Sequence, residues 1–261
     1  MKATLIICST LALGGTAFAA NSPWDGTWKL DQAQSHFTGG TMSITKGKNG
    51  LLHHSDGSTA EYDFAPDGKE RKLWANRTAV WTSPQKDTWD VLIKLDGKEH
   101  ARDHMVLSDD GKTLTETWTG DKPDGSSARE QDVLTRMSGT NGLVGTWRVS
   151  KVEGEAGGPN AFIIDVPAPG RVHYQVPDMK MNVEGPSDGS DLPLIGPTAA
   201  PGMTISFKSL TPTKTRYTIK IDGKVDSMGE ETLAADGRSF TDVNWNAGKE
   251  NEKVTGVYVK Q

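Results

Sequence analysis

The chain has 261 residues, of which 24% are charged and 34% hydrophobic, and its formal net charge is −5. This acidic balance argues against nucleic acid or an anionic membrane surface as a partner, because both require a clustered positive surface. The length fits one large domain or two of ordinary size, so the division must come from the residue pattern.

The first residues have the pattern of a cleavable secretory signal. Lys2 provides the positive start, residues 3–13 form an apolar run, and Ala17-Phe18-Ala19 has the small side chains that a signal peptidase requires. We therefore predict a signal peptide at residues 1–19, cleaved before Ala20. The mature protein is expected to be periplasmic or secreted.

The only cysteine, Cys8, belongs to the predicted signal peptide. The mature chain is therefore expected to contain neither a disulfide nor a thiol nucleophile, although it enters a compartment where disulfides persist. No later segment approaches the roughly 18 apolar residues of a membrane-spanning helix. We predict no membrane span.

Internal repetition divides the chain. The motif Gly26-Thr27-Trp28-Lys29 recurs as Gly145-Thr146-Trp147-Arg148, and residues 93–98 and 110–116 recur at a spacing of 126 residues as 219–224 and 236–242. Two ungapped matches in one frame and a third at the module starts indicate a duplicated unit. We predict one module at residues 20–137, a linker at 138–142 and a second module at 143–261.

Turn signals indicate that each module is a series of β-hairpins. Asp-Gly pairs supply the positive φ angles of tight turns, and those at 96–97, 110–111 and 124–125 are 14 residues apart. Between turns the residues alternate, with Trp89 and Val91 on one face and Asp90 on the other. Such long strands favour barrels, so the predicted fold is all-β, with two tandem antiparallel meander barrels. The one helical candidate, residues 31–37, could cap a barrel mouth.

A Gly-x-Trp motif on the first strand of an antiparallel meander resembles the calycins, the group of lipocalins and fatty-acid-binding proteins. The closing sequence Val257-Tyr258-Val259-Lys260-Gln261 is also similar to that of uncharacterised secreted bacterial lipocalin-like proteins. The resemblance implies that Trp28 and Trp147 close the barrel floors beneath basic residues of the last strands. The matching candidates are Arg136 in the first module and Lys260 in the second. It also implies a barrel that can hold a cavity.

Six of the eight tryptophans lie in the first module. In a small barrel such side chains usually fill the interior, and the alternative is an aromatic pocket for flat ligands. The candidate ligand-binding residues are Tyr62, Trp74, Trp81, Trp89 and Trp118.

Neither catalysis nor a cofactor is supported by a motif. The sequence has no nucleophile elbow and no glycine-rich phosphate loop, and its histidines at 53, 54, 100 and 104 do not follow a recognised zinc spacing. Adjacent acids such as Glu230 and Glu231 point to opposite faces of a strand, so they cannot flank one bond. We predict no catalytic residue, no metal site and no cofactor.

The second module has a segment rich in glycine and proline at about 152–203, which we interpret as an insertion. Stretches of this length are usually lids or disordered. Within it, Val172, Tyr174 and Val176 alternate as in a strand, and the apolar residues 192–195 could cover a barrel mouth.

Three functions remain open at this point. The first is an exported protein that holds a small apolar or aromatic ligand in a barrel cavity. The second is a non-catalytic cell-envelope interaction module with filled barrels, and the third is an enzyme on a barrel scaffold. The sequence identifies no protein partner.

Overall fold

A computed structural model of the chain describes residues 22–59, 61–155 and 159–261; the predicted signal peptide, Cys8 and the cleavage site lie outside these ranges. The described part is all-β, as predicted. It forms two nearly closed antiparallel sheets of 10 strands each, which are two tandem barrels.

In chain order the first ten strands are β1 Gly26–Leu30, β2 Thr41–Lys46, β3 Leu52–Ser55, β4 Tyr62–Phe64, β5 Glu70–Lys72, β6 Arg77–Gln85, β7 Thr88–Leu95, β8 Lys98–Leu107, β9 Thr113–Asp121 and β10 Ser127–Ser138. The others are β11 Gly145–Gly154, β12 Ala161–Asp165, β13 Arg171–Val176, β14 Met181–Pro186, β15 Asp188–Pro193, β16 Met203–Thr211, β17 Lys214–Ile221, β18 Lys224–Leu233, β19 Ser239–Asn246 and β20 Val254–Lys260. Single 3₁₀ turns follow β2 at Lys48–Gly50 and β13 at Pro177–Met179.

The two sheets do not follow the two halves of the repeat. Barrel 1 has the strand order β4-β3-β2-β11-β10-β9-β8-β7-β6-β5, and barrel 2 has the order β14-β13-β12-β1-β20-β19-β18-β17-β16-β15. Barrel 1 is therefore continuous in sequence from β2 to β11. Barrel 2 takes β1 from the start of the chain and all its other strands from the end.

Residues 138–142, predicted from the repeat to link two modules, belong to the turn between β10 and β11. Gly139 and Gly142 adopt φ angles of 87° and 56°, which allow the chain to reverse over a few residues. The guanidinium of Arg136 donates to the carbonyl oxygens of Gly142 and Val144 at 2.6 and 2.9 Å. Because this turn closes locally, β11 pairs with β10 and stays in barrel 1. The chain instead changes barrel between β1 and β2 and again between β11 and β12.

The two tryptophans of the repeated motif, Trp28 and Trp147, are fully buried at the barrel floors. Each lies beneath a cation that comes from the other module of the repeat. The ammonium of Lys260 lies 5.0 Å from the ring of Trp28, and the guanidinium of Arg136 lies 4.0 Å from the ring of Trp147. Each indole also donates to a backbone carbonyl at 2.9 Å. Each cation–π contact stabilises the fold by about 0.5–2 kcal/mol. The strand that carries each Gly-Thr-Trp motif therefore pairs with the last strand of the other module.

Two regions differ from their predicted form. Residues 31–37 contain turns rather than a helix, because the Asp31 carboxylate accepts from the backbone of Ala33 and Gln34 and the chain is then extended where His36 bridges Thr255. The segment at 152–203 is mostly barrel wall, since it supplies β12 to β15. The strand predicted through Val172, Tyr174 and Val176 is confirmed as β13.

Polar contacts join the barrels on two sides. On one side Thr41 donates to the Glu252 carboxylate at 2.8 Å and Thr59 donates to Asp226 at 2.6 Å. On the other, the ammonium of Lys122 lies 2.9 Å from the Asp178 carboxylate, with the lysine side chain buried and the aspartate side chain 12% exposed. None of the helices in the described ranges has the length and apolar character needed to cross a membrane.

We predict that a fragment of residues 38–155 folds on its own, because it contains every strand of barrel 1. A fragment of residues 20–137, cut according to the repeat, lacks β11 and retains β1 without its partners. Loss of Trp147 from the core alone costs about 3–5 kcal/mol, which is much of the stability of a small domain. Thermal unfolding followed by circular dichroism should therefore be cooperative only for residues 38–155, and the reverse result would contradict the strand exchange.

Candidate functional site

A cavity of about 800 Å³ is lined by the inner faces of both barrels. Its volume lies in the range of small-molecule sites. Its apolar and aromatic walls come mainly from barrel 2: Leu30, Phe37, Pro159, Phe162, Tyr174, Val176, Met181, Val183, Leu194, Ile205, Phe207, Tyr217, Ile219, Val254 and Tyr258, with Trp118 and Val152 from barrel 1. Six carboxylates also line it: Asp103, Glu116, Glu130, Asp132, Glu231 and Asp242.

Strand alternation places these acids inside the barrels. On β9 the residues Leu114, Glu116 and Trp118 share the inner face, and on β18 Glu231 shares it with the buried Leu233. Leu114 and Leu233 belong to the cores near the barrel floors. The acids therefore occupy the next layer, between the apolar floor and the cavity.

In each barrel two carboxylates stand directly opposite each other on neighbouring strands. Glu116 on β9 is paired with Asp132 on β10, and Glu231 on β18 is paired with Asp242 on β19. Directly opposite residues have Cβ atoms about 4.5–5.5 Å apart, and like charges there are destabilising. Both pairs must therefore be compensated by protons, by hydrogen-bond donors or by a cation.

In barrel 2 the compensation comes from tyrosine hydroxyls. Tyr174 donates to Glu231 at 2.6 Å and Tyr217 donates to Asp242 at 3.1 Å. Burial, with the neighbouring Asp242 carboxylate, still raises the pKa of Glu231 to about 8, and burial raises the pKa of Asp242 to about 6. Gly229 lies opposite Tyr217, and a Cβ there would stand 2.4 Å from the tyrosine ring. The glycine therefore makes room for this donor.

In barrel 1 the carboxylates have fewer partners. Among the described residues, the buried Oδ1 atoms of Asp103 and Asp132 have no hydrogen-bond partner. Burial, followed by the charges of Asp132 and Glu130, raises the pKa of Asp103 to about 7, and burial raises the pKa of Asp132 to about 6. Burial and the same neighbours hold the pKa of Glu116 well above its usual range. We call Asp103, Glu116 and Asp132 the barrel 1 acid cluster.

Of the aromatic residues selected from the sequence, Trp118 lines the cavity. Trp81 stacks on Phe64 with ring centroids 4.1 Å apart, and both it and Trp89 belong to the barrel 1 core. Trp74 lies under the Arg77 guanidinium at 4.0 Å. Tyr62 packs on that core, and its pKa is raised by burial first and then by the carboxylates of Glu116 and Asp103.

His53, His100 and His104 do not converge with an acid in the cavity. His104 pairs with Asp90 at 2.6 Å and His53 pairs with Asp63 at 2.8 Å, with both contacts largely exposed. His100 is on a different surface. Within the described ranges, no three His, Cys, Asp or Glu side chains are grouped to hold a metal ion.

The acids of the cavity were not selected from the sequence, although two signals point to them. Glu116 and Asp242 are equivalent positions of the repeat, 126 residues apart. Each also alternates with apolar residues along its strand. Glu116 lies two residues from both Leu114 and Trp118, and Asp242 lies two residues after Phe240. An acid that recurs in the inward phase of a strand is a candidate for a site rather than for a solvated surface.

The raised carboxyl pKa values predict that stability decreases with pH. The folded protein holds protons that the unfolded chain releases near pH 4, so this contribution is full below about pH 4 and is lost as the pH rises to the folded-state pKa values of about 6 to 8. Burial lowers the pKa of His54 and of His100, which acts in the opposite direction below pH 6.5. Urea unfolding should show a decrease on the order of 2–4 kcal/mol between pH 5 and 8.5.

The variant Glu231→Gln should weaken this dependence and stabilise the protein at pH 8 by about 1–3 kcal/mol, because glutamine stays neutral and still accepts from Tyr174. The neighbouring Glu230 is a matched control: it faces outward, and its ion pairs with Lys214 and Arg216 lower its pKa. Glu230→Gln should leave the pH slope unchanged. Equal slopes in the wild type and in Glu231→Gln would contradict the assignment of the buried proton.

Comparisons of the chain with known protein families, with curated proteins and with solved structures found no match. The function is therefore argued from the cavity and its side chains.

Proposed function

We propose that this is an exported binding protein that holds a small, mainly apolar or aromatic molecule in the cavity between the two barrels. The observation that carries the proposal is the cavity of about 800 Å³ with largely apolar and aromatic walls. The predicted signal peptide supports export. The Gly-x-Trp floors with a cation above each indole support a calycin-type barrel, a class that commonly encloses one ligand.

The walls of the barrel 2 part of the cavity are suited to a flat or branched apolar body. Phe162 and Tyr258 have ring centroids 4.9 Å apart, and Tyr174 and Phe207 are stacked at 4.6 Å. These rings are fixed by their packing on the barrel core, so a ligand meets a surface that is already formed. Each Å² of apolar surface that the ligand removes from water contributes roughly 25 cal/mol.

An interaction module with filled barrels is less well supported, because the barrels enclose space. The exposed large apolar side chains of the described residues come from five different elements: Val106, Met137, Ile195, Leu210 and Val225. Single apolar residues of this kind are normal on a protein surface.

Catalysis remains a second candidate because of one observation, the opposed carboxyl pairs with raised pKa values. Groups with perturbed pKa values in a cavity are common at active sites. Turnover of a bound compound by the purified protein, with loss of turnover in Glu116→Gln, would favour this candidate over binding alone.

We predict that filling the cavity abolishes binding. Native mass spectrometry of the protein purified from its own host should show a co-purifying small molecule, and the neutral fluorescent probe N-phenyl-1-naphthylamine should bind the emptied protein. The variant Ser227→Phe places a ring in the cavity and should weaken probe binding by at least about tenfold, which corresponds to roughly 1.4 kcal/mol.

The control is Thr119→Phe, which adds the same ring at an exposed residue on the outer face of β9. It should leave probe affinity unchanged. Equal affinities for both variants, or a protein that carries no molecule and binds neither the probe nor other apolar compounds, would overturn the proposed function.

A further inference from the structure

We propose that the ligand is an organic cation, a protonated amine on an apolar or aromatic body, with its ammonium group against the barrel 1 acid cluster and its body in barrel 2. This inference rests on the proposed function and deepens it by naming the charge and the orientation of the ligand.

The charge of the cavity lining has one sign. Six carboxylates line the cavity, and the described residues of its lining include no Lys, Arg or His. An anionic ligand would meet only like charges there, and an apolar one without a donor would leave the buried Oδ1 atoms of Asp103 and Asp132 unsatisfied. A cation offers the charge that the lining lacks.

The two ends of the cavity differ in how their acids are satisfied. In barrel 2 the pair Glu231 and Asp242 already accepts hydrogen bonds from Tyr174 and Tyr217. In barrel 1 the buried Oδ1 atoms of Asp103 and Asp132 have no partner among the described residues, although buried carboxylate oxygens are usually hydrogen-bonded. These two oxygens therefore lack donors among the described residues, and an ammonium group provides three.

An aromatic face accompanies the unsatisfied acids. Trp118 lies directly opposite Asp103 on one side and opposite Glu130 on the other. Gly120 allows this arrangement, since a Cβ at that position would be 2.8 Å from the indole ring. A cation held by carboxylates next to an indole gains both charge-assisted hydrogen bonds and a cation–π contact.

The cations near the acid cluster are engaged elsewhere or neutral. A neighbouring cavity of about 260 Å³ shares Glu116 and Asp132 with the main cavity and is also lined by His54, Lys249 and Glu252. The Lys249 ammonium binds Thr41 and lies 3.4 Å from the Glu252 carboxylate. Burial is the main cause of the lowered pKa of His54, so its ring is neutral near pH 7.

Binding of the cation should release protons from the acid cluster. The groups that line the cavity there are Asp103 on β8, Glu116 on β9 and Glu130 and Asp132 on β10, and the adjoining cavity adds the neutral His54 and Asp56. The carboxylates of Glu116, Asp103 and Asp56 also contribute, after burial, to the raised pKa of Tyr62. A protonated carboxyl attracts a cation less than a carboxylate does. The affinity for a cation should therefore rise between pH 5.5 and 8, by about tenfold for each pH unit over which one proton is released.

The test uses three indoles of one shape: tryptamine, which is cationic, tryptophol, which is neutral, and indole-3-propionate, which is anionic. Isothermal titration of the full mature protein at pH 7.5 should show tryptamine binding at least about tenfold more tightly than tryptophol, with indole-3-propionate weakest. The preference for tryptamine over tryptophol should grow from pH 5.5 to 8.

Two variants identify the site. Asp132→Asn and Glu116→Gln should each reduce tryptamine affinity by at least about tenfold and leave tryptophol affinity unchanged, a split that a general loss of structure would not produce. The control Asp109→Asn removes an exposed carboxylate from the turn after β8 and should change neither affinity.

The outcomes separate the two proposals. Equal binding of tryptamine and tryptophol overturns the organic cation and leaves the apolar binding function standing. Displacement of tryptamine by millimolar calcium also overturns it, because the cluster would then be a metal site. If none of the three indoles binds, and the neutral naphthylamine probe does not bind either, both proposals fail.

Discussion

The pairing of β1 with β12 on one side and with β20 on the other is the constraint on which the rest of the molecule depends. It closes barrel 2 with a strand from the start of the chain, and it requires all of barrel 1 to be inserted between β1 and β12. The two crossings that result bring the inner faces of the barrels to one cavity. Because each floor is closed by an indole beneath a cation, the exchange preserves the same packing in both barrels.

The opposed carboxyls that line this cavity lower the stability of the fold. Aliphatic side chains at Glu116 and Asp132 would pack against the leucine layer below them and would need no donor. The chain instead holds opposed carboxyls in each barrel and satisfies them unequally, with tyrosine donors in barrel 2 and buried unpartnered oxygens in barrel 1. Such an asymmetry between duplicated halves is expected where a site, rather than the stability of the barrel, determines the side chains.

Sequence patterns that span a few residues predicted the features that form between neighbouring segments of the chain. Asp-Gly pairs and alternation predicted the hairpins. The resemblance pointed to the two tryptophans and the two cations, but each tryptophan lies beneath the cation of the other module. The choice of partner for β1 could not be predicted in this way, since Gly26-Thr27-Trp28 and Gly145-Thr146-Trp147 are identical and fit either barrel. That choice is made by the β10–β11 turn. The cavity escaped prediction because it depends on strand register, which brings Glu116 to Asp132 and Glu231 to Asp242.

Because barrel 1 is inserted between β1 and β12 of barrel 2, the order in which the strands are made also affects the order in which the barrels form. Every strand of barrel 1 is available once β11 has emerged, so this barrel can close early and from neighbouring segments. β1 precedes every other described strand, and although it can pair with β12 once that strand is made, its second neighbour β20 comes last among the described strands. Until both pairs with β1 form, β12 and then β20 present open edges in barrel 2, and the β1 of a second chain fits the gap as well as its own does. Molecules crowded together while they fold would therefore exchange first strands, and the product would be a dimer with the same barrels and the same cavities as the monomer.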